Sequence, residues 1–206
     1  MSIKSIISAP RVPAKTLAVR FFSDPVAGVL VALHISANMV TLAGFAVASL
    51  GGWMLADGLI WQGGLVMLAG SLMDMFDGAV ARRTGQTTVF GAFLDSVMDR
   101  LGEAVVLFGL LVFYARDAHT LGAYLACGAI VTSTMVSYAR ARAEGLGIQG
   151  DIGIMGRPER IVVLAVGLLA YGFSDDAPLY ALGVITAGAS FTVLQRMWYV
   201  RSKTRE

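Results

Sequence analysis

Six apolar runs, separated by short polar joints, constrain this chain more than any other feature of it. They cover roughly residues 38–56, 60–82, 90–114, 121–143, 158–173 and 179–200. A helix needs about 20 largely apolar residues to cross the hydrocarbon of a bilayer, and most of these runs reach or approach that length. Lipid offers backbone amides no water to bond, so such runs fold as helices that satisfy their own N–H and C=O groups. Composition agrees. Of 206 residues, 56% are hydrophobic and 15% are charged, whereas a water-soluble domain carries about a quarter charged residues. The pattern predicts an all-α integral membrane protein with six transmembrane helices. A seventh run, SDPVAGVLVALHI from Ser23, is too short to span. Ser23 is placed to cap it, with Asp24 and Pro25 in the first turn. It predicts an N-terminal interfacial amphipathic helix, with His34 as a polar anchor at its end.

The joints leave no room for a second domain. The expected organisation is one membrane domain over 1–206: a cytoplasmic or interfacial arm (1–37), a six-helix core (38–200) and a cytoplasmic tail (201–206). The stretch MSIKSIISAPRVPAKTLAVRFF has scattered basic residues and no apolar core before a cleavage site, which predicts a surface arm rather than a cleaved signal. The net charge of +2 gives no case for nucleic-acid binding. The single cysteine, Cys127, lies in an apolar run and reads as a small packing residue. With six spans, fourteen of the sixteen lysines and arginines fall on one side of the membrane. By the positive-inside rule that side is cytoplasmic, and both termini lie there, in the inner or plasma membrane of the cell.

Against this apolar background stands DMFDGAVARRTGQTTVFGAFLDSVMD, from Asp74 to Asp99. Asp74 and Asp77 are three apart near the end of the second run; Asp95 and Asp99 are four apart near the start of the third. Both spacings put a pair on one helix face. A carboxylate at membrane depth is expensive and marks a functional site by default. Four together cannot all ionise without compensation. A structural ion-pair network is the plainer reading, but acids outnumber bases here. Hard divalent cations are the natural partners of such a set: magnesium favours carboxylate oxygens and bridges to phosphate, and two ions can clamp both oxygens of a phosphoryl transfer. Gly78 and Gly91 permit close approach of a ligand or helix, and Arg82 can reach a diphosphate beside the metals.

Asp74, Asp77, Gly78, Ala81, Arg82, Gly91, Asp95 and Asp99 follow the pattern D-x2-D-G-x2-A-R-x8-G-x3-D-x3-D without departure. This resembles the signature of the CDP-alcohol phosphotransferase (phosphatidyltransferase) family. The resemblance implies that a CDP-linked lipid such as CDP-diacylglycerol gives its phosphatidyl group to an alcohol and releases CMP. It also implies that Asp74, Asp77 and Asp95 hold two Mg2+ ions, with Mn2+ as the alternative. Asp99 is ligand or general base by the same resemblance, so the catalytic pair is Asp99 and Asp95. The CDP moiety then meets Asp74, Asp77, Gly78, Arg82, Thr88 and Gly91. In ISANMVT, Asn38 and Thr41 either shape the nucleotide site or cap a helix. A homodimer is expected from the resemblance alone.

A second cluster bears on the acceptor. The pattern SYxxARAE, then GD, RPER and a late QR, resembles the subgroup of that family formed by bacterial phosphatidylinositol-phosphate synthases and their archaeal counterparts. The resemblance implies inositol 1-phosphate as acceptor, its phosphate held by Arg140, Arg160 and Arg196. The first of these is often lysine in the subgroup; arginine keeps the charge and changes the geometry. Glycerol 3-phosphate is the alternative acceptor. Snorkelling accounts equally for Arg140 and Arg196, and Arg157 is explained by the positive-inside rule alone. A divalent-cation transporter is the competing class. Transporters place their ion site near the midplane and commonly carry repeats; here the acids lie to one side and no repeat is visible.

Overall fold

The computed structural model describes residues 24–204. The expected arm up to Arg20, the capping role of Ser23 and the last tail residues lie outside that range. Residues 24–32 are helical (α1) and are followed by α2 (Ala37–Ala56), α3 (Ile60–Thr84), α4 (Val89–Arg116), α5 (Thr120–Gly145), α6 (Arg157–Leu169) and α7 (Ala177–Lys203). No strand occurs among the described residues. The bounds fall within a few residues of those expected, and several helices start or stop on a local signal. Ser36 caps α2 by accepting from Met39 N at 3.3 Å. Thr88 caps α4 by accepting from Gly91 N at 2.9 Å. Gly85, at φ 66°, ends α3 in a left-handed turn in which Gln86 N bonds back to the Ala81 carbonyl. His34 ends α1 in the same way at φ 58°, with Ile35 N bonded to the Leu30 carbonyl. Its place is therefore set by helix termination.

Four helices, α2, α3, α5 and α7, are long and apolar enough to cross a membrane. α4 has the length, 28 residues, but carries Asp95, Asp99, Arg100 and Glu103. α6 has only 13 residues and runs into a 3-10 turn at Ala170–Gly172.

The helices close into a ring. α3 packs on α2, α2 on α4, α4 on α5, α5 on α7, α7 on α6, and α6 returns to α3. α3 and α4 follow each other in sequence yet scarcely touch. α2 lies against both, and two adjacent glycines let it do so. A Cβ on Gly51 would stand 3.0 Å from Met67 N of α3; one on Gly52 would stand 2.7 Å from the Val105 carbonyl of α4. Gly109 of α4 completes the second contact, since its Cβ would fall on the Gly52 carbonyl. Small residues at such crossings let backbones approach where lipid supplies no hydrophobic drive. Leu55, Met67, Leu107, Leu110, Leu168, Leu182 and Ile185 fill the ring's interior, and Met67, Leu107 and Ile185 reach the space that Asp74 and Asp99 line. Large side chains such as Trp53, Phe108, Phe191 and Trp198 point outward, as lipid-facing residues do.

Candidate active site

All four aspartates face inward toward the end of the ring where the joint 85–88 links α3 to α4, and they divide into two pairs. Asp77 and Asp95 line a cavity of about 210 Å³ together with Asn38, Thr41, Gly78, Arg82, Thr88 and Gly91. Every residue expected at the CDP moiety lines this cavity except Asp74. Thr41 is not a cap: its hydroxyl donates to Asp77 Oδ2 at 2.7 Å and holds that carboxylate, which is 6% exposed. Asn38 is the second residue of α2, and Ser36 is the cap. Arg82 folds back over Gly78, where a Cβ would come within 3.2 Å of its Nη1. Thr88 both lines the cavity and caps α4.

Asp74 and Asp99 face a second, narrower space deeper in the ring. Between them stands Arg157, from the start of α6. Its Nη2 donates to Asp74 Oδ2 at 2.8 Å and its Nη1 meets Asp99 Oδ2 at 2.7 Å. The positive-inside rule is therefore an incomplete account of Arg157, which ties α6 to both α3 and α4. Room for Asp74 comes from Gly44 on α2, where a Cβ would stand 3.1 Å from Asp74 Oδ1.

Arg140, Arg160 and Arg196 come together as expected. They line one cavity of about 380 Å³, with Arg100, Arg157 and Asp151 also on its wall. Their donors are already engaged to different degrees. Arg160 is 1% exposed and forms a bidentate pair with Glu103 at 2.6 and 2.7 Å. Arg196, 5% exposed, donates to the Ile152 carbonyl at 2.8 Å and to the Val136 carbonyl. It thereby fastens the α5–α6 connection to α7, helped by Thr192, whose hydroxyl accepts from Met155 N at 3.0 Å. Snorkelling does not describe a side chain so enclosed. Arg140 is half exposed and pairs with Glu144 at 2.8 Å and Asp151 at 3.1 Å. Opposite charges thus hold Arg140 and Arg160, and backbone carbonyls hold Arg196.

Glu103 and Arg157 were not singled out from the sequence, though signals for both are there. Glu103 lies four residues after Asp99, one turn deeper on the same face of an apolar helix, where a charge again calls for a function or a partner. Arg157 lies three before Arg160, on the same side of α6.

The carboxylates suit hard cations. Asp95 Oδ1 and Asp99 Oδ1 are buried without a hydrogen-bond partner, an arrangement costly unless a charge meets them. The donor set is all oxygen. Among the described residues, no three acidic, histidine or cysteine side chains already form a metal cage; the Arg157 guanidinium lies between Asp74 and Asp99 instead.

A ring of apolar helices with paired carboxylates beside a cluster of arginines is the build of a membrane protein that handles charged ligands. The family model described as CDP-alcohol phosphatidyltransferase matches residues 34–200, and the chain belongs to that family. It is 38% identical over 186 residues to the archaetidylinositol phosphate synthase of Methanothermobacter thermautotrophicus, covering 88% of this chain and 90% of that one. It is 40% identical over 192 residues to the phosphatidylinositol phosphate synthase of Mycolicibacterium smegmatis, covering 87% and 84%. The fold matches that of Mycobacterium tuberculosis phosphatidylinositol phosphate synthase with CDP-DAG bound, at TM-score 0.81 and 31% identity, over 87% of this chain and 94% of that one. The same enzyme in complex with manganese and citrate matches at TM-score 0.82, over 86% and 88%.

Proposed function

We propose that this protein transfers the phosphatidyl group of a CDP-linked lipid, diacyl or archaeal, to inositol 1-phosphate and releases CMP. The observation that carries this reading is the position of the aspartates. Asp77 and Asp95 border the cavity of the nucleotide-site residues, and Arg157, paired with Asp74 and Asp99, borders the cavity of the arginines. A donor and a phosphorylated acceptor can thus approach the carboxylates from two sides. The names of the relatives support the same substrates.

Asp74, Asp77, Asp95 and Asp99 would hold divalent cations, Mg2+ or Mn2+, which neutralise the diphosphate and stabilise the CMP leaving group when bound. Gly78, Gly91, Arg82 and Thr88 seat the CDP moiety. Arg140, Arg160 and Arg196 seat the acceptor's phosphate and turn one of its free hydroxyls toward Asp99. Asp99 accepts that proton at its unpaired Oδ1. The hydroxyl oxygen bonds to the phosphorus that carries the lipid, the bond from that phosphorus to the bridging oxygen breaks, and the electron pair leaves on CMP. The site opens toward the cytoplasm, α4 and α6 complete a set of six spans, the helix before α2 lies at the interface, and two copies associate. The basic ends of α3 and α5, with Arg82, Arg83 and Arg142, support this orientation.

The test is CMP release by purified protein given CDP-diacylglycerol and Mg2+, with inositol 1-phosphate, glycerol 3-phosphate and free inositol offered separately. Turnover with inositol 1-phosphate alone is expected. Turnover only with another acceptor would keep the family chemistry and overturn the assignment of the arginines.

A further inference from the structure

We propose that Arg157 is a resident counter-cation of Asp74 and Asp99 which metal ions displace, so that metal binding at the aspartates and anion binding in the arginine cavity strengthen each other. The inference rests on the reading that the aspartates bind metal. It starts from the way Arg157 is seated. Its guanidinium spans two carboxylates on different helices at 2.8 and 2.7 Å, and its Nε is buried without a partner. Apart from those two carboxylates the seat gives its guanidinium no hydrogen bond among the described residues. Arg160, three residues on, is fixed by both oxygens of Glu103 and by its burial. The Arg157 side chain is 28% exposed, against 1% for Arg160. One arginine of RPER is locked and the other is held only by charge.

Arg157 also stands at a boundary. It lines the space beneath the aspartates and the cavity that holds Arg140, Arg160 and Arg196. A divalent ion on Asp74 and Asp99 removes the attraction that holds the guanidinium there and adds repulsion between like charges. The displaced charge has a place to go, the anion cavity that it already borders, and the movement needs only side-chain rotation. An anion drawn to that cavity favours the same movement. By linkage each ligand then raises the affinity for the other by one common factor. Metal-free protein meanwhile keeps Asp74 and Asp99 paired with one cation.

Calorimetric titration of the full-length protein in detergent, without lipid donor, tests this. The probes are MnCl2, and inorganic phosphate with and without Mg2+. Arg157→Gln should bind Mn2+ about tenfold more tightly than wild type, since it removes the competitor. Arg157→Lys should lie between them. Wild-type affinity for phosphate should rise with Mg2+, and that rise should shrink in Arg157→Gln. Equal or weaker Mn2+ binding by a folded Arg157→Gln would make Arg157 a fixed brace and overturn the inference. If that variant does not fold, the wild-type phosphate titration decides alone: no gain with Mg2+ overturns it. A wild type that binds no Mn2+ would remove the metal reading itself, an outcome distinct from a wild type that binds Mn2+ without competition.

Discussion

The two ends of the helical ring are built on opposite principles. At one end α2 touches α3 through Gly51 and α4 through Gly52, and leucines and isoleucines close the interior. At the other, where the joint 85–88 links α3 to α4, two spaces are lined by Asp74, Asp99 and Arg157 and by Asp77 and Asp95. The first end is held by contact, the second by paired charge. The glycine contacts hold α2 against α3 and α4, and the charged end carries the site. A change at the first should therefore appear as stability, and a change at the second as chemistry.

The largest effects should separate the two ends. Asp74→Asn or Asp77→Asn is expected to lower CMP release at least about 100-fold, with little change in melting temperature. Asp99→Asn should abolish turnover yet largely retain metal-dependent CMP binding; losing that binding as fully as Asp74→Asn does would contradict its role as base. Arg160→Met blurs the division, because it leaves Glu103 buried without its partner. A stability loss of about 3 kcal/mol is expected from thermal unfolding. The double variant Arg160→Met/Glu103→Leu should recover most of that loss and still use the acceptor poorly.

Smaller effects sharpen the contrast. Gly109→Ala puts a methyl on the Gly52 carbonyl and should cost about 1–3 kcal/mol of stability, while the turnover of folded protein holds. Gly44→Ala crowds Asp74 Oδ1 and should do the reverse: near-normal melting, with turnover reduced about tenfold by a displaced ligand. Smallest is Arg116→Ala. It removes the exposed pair with Asp57 at 3.1 Å and should cost no more than about 0.5 kcal/mol.

The same division explains what could be read from the sequence. Helix positions were legible because apolar runs are local, and the structure adds the boundary residues Thr88 and Pro158 at helix starts and Gly85 at a helix end. The aspartate pairs were legible because helical spacing alone puts each pair on one face. The order of helices around the ring was not, because it rests on contacts distant in sequence, such as Gly52 with Gly109. Arg157 was passed over for a related reason. Topology gave it a sufficient explanation, and only the fold brings it to Asp74, 83 positions away. Arg160 and Arg196 were named for a ligand, and the fold adds their protein partners, Glu103 and the carbonyls of Val136 and Ile152.

Donor and acceptor are proposed to occupy separate cavities, one lined by Asp77 and Asp95 and the other by the arginines. Steady-state kinetics of Arg140→Gln tests this arrangement most directly, because Arg140 is the most exposed of the three acceptor arginines and its loss leaves the buried pairs intact. The account predicts that KM for inositol 1-phosphate rises about tenfold or more, while KM for CDP-diacylglycerol and the affinity for CMP stay at wild-type values. An equal rise in both KM values, or a rise for the CDP-lipid alone, would contradict it.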